Sequence, residues 1–305
     1  MNPISSCLWF DNQAEEAVDF YTSVFKNSKS NQSSHYGEEG YDVHGKPAGS
    51  VLSVDFQLAN HRFLALNGGP NFHFNPAISF YVTCKTDKEI IQLWSKLADS
   101  GSPMMALDAY PFSEKYGWIE DKFGVSWQLI LPFKNQNSSH KEHKIAPCLM
   151  FASSQQGNAE AAMNFYMSVF KKSEKIMNEH YTKEEAGPNG MVKHAEFLLN
   201  GQNFVAMDSG IDLPHKFNEA ISFVVNCHTQ NEVDYFWEKL SNGGDPNAQQ
   251  CGWLKDKYGV SWQIIPDILG KLLNGSDYQK SENVMNALLK MKKLDINELQ
   301  NSYDQ

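Results

Sequence analysis

No apolar run in the chain approaches the ~20 residues needed to cross a bilayer, so no membrane-spanning helix is expected. The opening Met1-Asn2-Pro3-Ile4 has no basic segment ahead of an apolar stretch, so a secretory leader is not expected either. The five cysteines, at 7, 84, 148, 227 and 251, include no C-x-x-C pair. Their odd number argues against a disulfide framework, and their spacing matches no zinc site. Cys7, Cys84, Cys148 and Cys227 sit inside strand-like apolar runs and read as small buried hydrophobes of a reducing compartment. Cys251, just before Gly252-Trp253, reads as more exposed. Positive charge is scarce: 26 Lys+Arg against 36 Asp+Glu give a net charge of −10, the wrong sign for a nucleic-acid binder. What is present suffices for packed cores, with 41% hydrophobic and 20% charged residues. At ~150 residues per domain, 305 residues predict a two-domain cytoplasmic protein without nucleic acid or membrane as partner.

The chain repeats itself. Ile4-Ser-Ser-Cys-Leu-Trp-Phe10 returns as Ile145-Ala-Pro-Cys-Leu-Met-Phe151. Ala14-Glu-Glu-Ala-Val-Asp-Phe-Tyr21 returns as Ala159-Glu-Ala-Ala-Met-Asn-Phe-Tyr166, and Gly124-Val-Ser-Trp-Gln128 as Gly259-Val-Ser-Trp-Gln263. Matches in the same order along the chain indicate a tandem duplication. The copies are expected over 1–133 and 145–270, joined by an aperiodic polar linker over 134–144 that contains His140 and His143. Residues 271–305 have no counterpart in the first copy. There Val284, Leu288, Met291 and Leu294 recur at helical spacing and predict an amphipathic helix.

Each copy reads as β-α-β-β-β followed by β-α-β-β-β. Ile4–Phe10 suits a buried strand, and Asn12 with Glu15 forms a capping-box pattern ahead of a helix. Ala14, Ala17, Val18, Tyr21, Val24 and Phe25 make that helix's apolar stripe. A second helix is expected over Asp87–Leu97, and Asn200-Gly201 predicts a type I′ hairpin turn. The expectation is an α+β fold of curved mixed and antiparallel sheets enclosing a cleft.

Cys7-Leu-Trp-Phe-Asp11, Leu66-Asn-Gly-Gly-Pro70, Ala77-Ile-Ser-Phe80 and Gly117-Trp-Ile-Glu-Asp-Lys-Phe-Gly-Val-Ser-Trp-Gln128 carry a family resemblance. The chain resembles the PhnB-like branch, labelled 3-demethylubiquinone-9 3-methyltransferase-like, of the glyoxalase–bleomycin resistance or vicinal oxygen chelate superfamily. The resemblance implies tandem domains of two βαβββ modules each. It also implies a divalent-ion site built from His, Gln or Glu on the first and last strands of a module. At the implied positions this sequence has Ser5, Ala65, Ala77 and Gln128, then Ala146, Ala206, Ala220 and Gln263. Alanine has no donor atom and a lone glutamine cannot hold such an ion, so neither metal nor cofactor is expected. The methyltransferase label finds no support in a glycine-rich cofactor turn, since Gly68-Gly69 follow a hairpin strand.

Candidate ligand-binding residues follow from position and chemistry. His35 and His180 occupy matching places and offer titratable donors, and His194 with Glu196 forms an i, i+2 pair. Asn67 and Asp208 end equivalent strands. Trp9, Phe74, Tyr110, Trp118, Phe217 and Trp253 are candidates for apolar walls, and the resemblance implies Gln128 and Gln263 as inward amides. His61 reads as a solvent-facing turn residue. The hairpin before Gly117 is longer than that before Gly252, so the two clefts need not share a ligand. Three readings stay open: a metal-independent small-molecule binding protein serving sequestration or resistance; a lyase, isomerase or dioxygenase with an atypical centre; and a scaffold, with the chain as an intramolecular pseudo-dimer or a homo-oligomer.

Overall fold

The computed structural model describes residues 4–134, 144–185, 187–275 and 277–305; the linker histidines His140 and His143 lie outside the described residues. The first module is β1 (Ser5–Phe10), α1 (Ala14–Val24), β2 (Lys29–His35), β3 (Val51–Leu58) and β4 (His61–Asn67), with a helical turn α2 (Tyr41–His44) inserted before β3. The second is β5 (Ile78–Thr83), α3 (Asp87–Leu97), β6 (Ser102–Tyr110), β7 (Ser113–Glu120) and β8 (Ser126–Leu131). The third is β9 (Ile145–Phe151), α4 (Ala159–Val169), β10 (Glu174–His180), β11 (Val192–Leu199) and β12 (Gln202–Asp208). The fourth is β13 (Ile221–Cys227), α5 (Gln230–Ser241), β14 (Asp245–Gln250), β15 (Trp253–Lys255) and β16 (Ser261–Pro266). Three helices follow: α6 (Leu269–Leu273), α7 (Tyr278–Lys290) and α8 (Ile296–Asp304).

Local signals account for much of this. Helix α3 covers the expected span, with the Thr86 hydroxyl accepting the Glu89 N–H at its start. The type I′ turn is present at Asn200 (φ 50°) and Gly201 (φ 80°), and the first copy makes the same turn without glycine at Ala59 and Asn60. The expected capping box at α1 is absent. Gln13 is the N-cap and makes no side-chain cap bond. Instead the Ala14 N–H is taken by Asn67 Oδ1 at 2.9 Å, so the helix is capped across the fold from the end of β4. The C-terminal helix α7 stops at Lys290. Met291 and Leu294 therefore leave the expected helical stripe, yet both stay buried in a small cluster with Leu269, Leu272, Val284, Leu288 and Leu299.

The four modules form two 8-stranded sheets, ordered β14-β15-β16-β13-β1-β4-β3-β2 and β10-β11-β12-β9-β5-β8-β7-β6. Each copy does contain two βαβββ modules, but they lie in different sheets. The first sheet joins the opening module of copy one to the closing module of copy two, through antiparallel β1 and β13 with Ser5 opposite Val224. The second sheet joins the two middle modules through antiparallel β5 and β9. Strand alternation sends one set of side chains to the helices. Phe63, Phe80, Trp127, Phe223 and Trp262 are all fully buried there, in one core shared by both sheets. The other set faces the concave sides, which form two bowls.

Two buried carboxylates pin the helix side. Asp256 Oδ2 accepts Trp262 Nε1 and the Tyr166 hydroxyl, each at 2.8 Å. Its Oδ1 accepts the backbone N–H groups of Tyr258 (2.8 Å) and Val260 (3.1 Å). Asp121 repeats the pattern in the other copy, accepting Trp127 Nε1 at 2.8 Å. Burial pushes both carboxyls up to about 6 despite these donors.

Candidate functional site: two unequal bowls

The bowl of the first sheet holds a cavity of about 850 Å³, within the size range of small-molecule sites. Ser5, Leu64, Val224 and Gln263 line it from the central strands, with Leu52, Leu66, Trp253 and Ile265 beside them. The C-terminal helices cover it, presenting Leu273, Met285 and Leu288 to the cavity. They are fastened on both sides. On one rim the Cys251 and Gly252 N–H groups donate to the carbonyls of Met291 and Lys292, each at 2.8 Å. On the other, Glu282 Oε2 accepts the Glu39 N–H at 2.7 Å, and the Tyr278 hydroxyl accepts the Glu38 N–H at 3.0 Å. Gly37 leaves room for that carboxylate, since a Cβ there would sit 1.7 Å from Glu282 Oε1. Polar groups gather at the β2–β3 side. Ser34 and Ser53 share a hydrogen bond of 2.7 Å, and Asp55 pairs with Arg62 at 3.5 Å beside the exposed His35.

The bowl of the second sheet is filled by its own side chains. Tyr81, Tyr116, Ile130, Ala146, Cys148 and Val205 are buried against one another, with Tyr110 and Trp118 packed onto them. The repeat explains the inequality. Tyr81 corresponds to Val224 and Tyr116 to Cys251, so two phenol rings fill one bowl where the other has a valine and a thiol. The short turn at Cys251-Gly252 also replaces the longer hairpin of Tyr110 and Phe112, and helices α6 and α7 cover the open bowl.

The expected site residues are scattered. His35, Trp253 and Gln263 line the cavity. Trp9 lies beside it, edge-on to Trp253 at 5.8 Å, with its Nε1 donating to the Gly69 carbonyl at 2.8 Å. Tyr110, Trp118 and Gln128 belong to the filled bowl, Trp118 Nε1 donating to Ser126 Oγ at 2.6 Å. His194 is there too, 3.1 Å from Glu196 and with its ring 5.5 Å from Tyr81. His180 is exposed on β10, 3.2 Å from Glu160. Four candidates serve the fold instead. Asn67 caps α1 and donates to Glu15 and to the Val51 carbonyl, so its polar atoms face away from the bowl. Asp208 does the same for α4, accepting the N–H groups of Gly157, Ala159 and Val192. Burial raises its carboxyl above the ordinary range, against the pull of these three donors. Phe74 and Phe217 pack edge-on against Phe10 and Phe151 in the core, each at 5.1 Å. His61 is not solvent-facing: it is 2% exposed and hydrogen-bonded to Ser6 Oγ at 2.9 Å.

The donor set at the cavity floor does not fit a divalent ion. Ala65, Ala77 and Ala206, expected at ligand positions, belong to the helix-side core, and Leu64 and Leu66 face the cavity in place of Ala65. Among the described residues no group of three or more His, Cys, Asp or Glu side chains is placed to hold a metal. Cys7, beside Gln263, is fully buried and does not line the cavity, and burial pushes its thiol up to about 12. What remains is one amide, a hydroxyl and aliphatic groups.

Comparison with known proteins agrees with this architecture. The sequence profile of the family described as 3-demethylubiquinone-9 3-methyltransferase matches residues 2–130 and 143–265, one stretch per copy. The chain belongs to this family. A PhnB protein of Bacillus cereus bearing the same methyltransferase description is 43% identical over 42% of this chain and 97% of its own, with a TM-score of 0.38. A Staphylococcus aureus protein is 34% identical over 44% of this chain and 100% of its own, with a TM-score of 0.18. A glyoxalase I variant from Zea mays, 9% identical, covers 86% of this chain and 94% of its own with a TM-score of 0.50, and shows the shared vicinal oxygen chelate fold. Curated proteins yield no match. The glycine pair Gly68-Gly69 has a packing explanation. A Cβ on Gly68 would lie 2.1 Å from Trp9 Cε2, and Gly69 has φ +93°.

Proposed function

We propose that this chain is a small-molecule binding protein with one ligand site per molecule, in the bowl covered by α6 and α7, holding its ligand without a divalent ion. The observation that carries the reading is the inequality of the bowls. A cavity of about 850 Å³ lies over one sheet, while tyrosines occupy the matching space over the other. The cavity combines apolar walls with a few convergent polar groups, the composition of sites that hold ligands by enclosure. The histidines that would serve an enzyme are dispersed: His35 on an exposed edge, His180 paired with Glu160, and His194 paired with Glu196 in the filled bowl. Sequestration or resistance is the role such a site suits.

The test combines metal analysis with ligand screening. Protein purified without chelator is expected to carry no stoichiometric Zn, Ni or Fe. Flat apolar compounds are expected to raise its melting temperature equally with and without EDTA. A stoichiometric metal, or ligand binding abolished by EDTA, overturns the reading.

A further inference from the structure

The filled bowl records what the open bowl lacks. In the filled bowl the Gln128 amide is satisfied at both ends. Its Nε2 donates to Ser79 Oγ at 2.8 Å, and its Oε1 accepts the Tyr116 hydroxyl at 2.7 Å. In the open bowl Gln263 keeps the first bond, donating to Ser222 Oγ at 3.0 Å. The second is gone. Cys251 stands at the place of Tyr116, and its thiol is turned to the Leu288 carbonyl at 3.4 Å. Gln263 is only 6% exposed, and it lines the cavity. No described residue donates to Gln263 Oε1, and the residue faces the cavity, so a ligand that supplies a donor there is favoured.

We infer that the open bowl takes a hydroxy-aromatic molecule whose phenolic O–H donates to Gln263 Oε1, its ring lying where Tyr116 and Tyr81 lie in the other bowl. The inference rests on the reading of this bowl as the ligand site. The ring would meet Trp253 on the strand side and Met285 and Leu288 on the helix side, all facing the same cavity. A phenol and its methyl ether bury nearly the same apolar surface but differ in the one proton Gln263 would accept, and sites built to bond a hydroxyl discriminate against analogues that lack it.

The probes are 2-naphthol and 2-methoxynaphthalene, titrated into the full chain by calorimetry. The expected result is one 2-naphthol per chain, bound at least about tenfold more tightly than the ether, about 1.4 kcal/mol. In Gln263→Leu the preference should vanish, while Val224→Tyr, which restores the ring of the filled bowl, should abolish binding of both probes. Equal affinity of phenol and ether in the wild type, which needs no variant to fold, overturns phenol recognition while leaving the bowl as a ligand site. So does a preference that survives Gln263→Leu. Binding of neither probe overturns the hydroxy-aromatic ligand, and full binding to a folded Val224→Tyr overturns the location of the site itself.

Discussion

Replacing Asp256 by asparagine tests the buried carboxylate that fastens helix α4 to strand β16. The carboxyl is ordinarily near 3.8 and is pushed up to about 6 by burial, against four donors that pull the other way. Between those two values the folded chain holds a proton that the unfolded chain has released. Stability from this group is therefore fully present below the unfolded value and falls as pH rises through the folded one. Two units at about 1.36 kcal/mol each give a loss of about 3 kcal/mol across the window. Asparagine does not titrate, so it removes that pH dependence. It also puts an NH₂ group against either Trp262 Nε1 and Tyr166 or the N–H groups of Tyr258 and Val260, orphaning buried donors at about 1–3 kcal/mol each. Urea unfolding of wild type and Asp256→Asn between pH 4.5 and 7 is the assay. The wild type should be clearly the more stable at pH 4.5, and its advantage should shrink by about 2 kcal/mol by pH 7. An advantage that is constant or grows with pH would refute the reasoning, because it would mean that the four donors outweigh burial.

Two further substitutions probe the supports of the bowls. Gly68→Ala places a Cβ 2.1 Å from the Trp9 ring; it should cost about 1–3 kcal/mol and alter tryptophan fluorescence, and a change below about 0.5 kcal/mol would show that the loop yields freely. Asn67→Ala removes the acceptor of the Ala14 N–H and the donor to the Val51 carbonyl. It should cost about 2–3 kcal/mol in denaturant unfolding, and an unchanged midpoint would mean that α1 finds another cap.

Periodicity and repetition determined the elements. The apolar stripe of α1, the span of α3, the turn at Asn200-Gly201 and the four-module order follow from spacings of 3.6 and 2 and from turn chemistry. That Trp127 and Gln128, like Trp262 and Gln263, face opposite ways follows from their being neighbours on a strand. Which of each pair faces the bowl came from the family resemblance and is seen in the structure. What no local pattern could decide is which modules share a sheet, because β1 pairs with a strand more than two hundred positions away. Separation along the chain also hid the caps of α1 and α4, whose first N–H groups are accepted by side chains at strand ends 53 and 49 residues away. It also hid the roof of the cavity, since Glu282 meets the loop at Glu39 only after the sheet has closed. Tyr81 and Tyr116 against Val224 and Cys251 were visible in the aligned copies all along. Their meaning needed the tertiary structure, because only the sheet shows that each pair faces the same hollow and that one pair leaves it open.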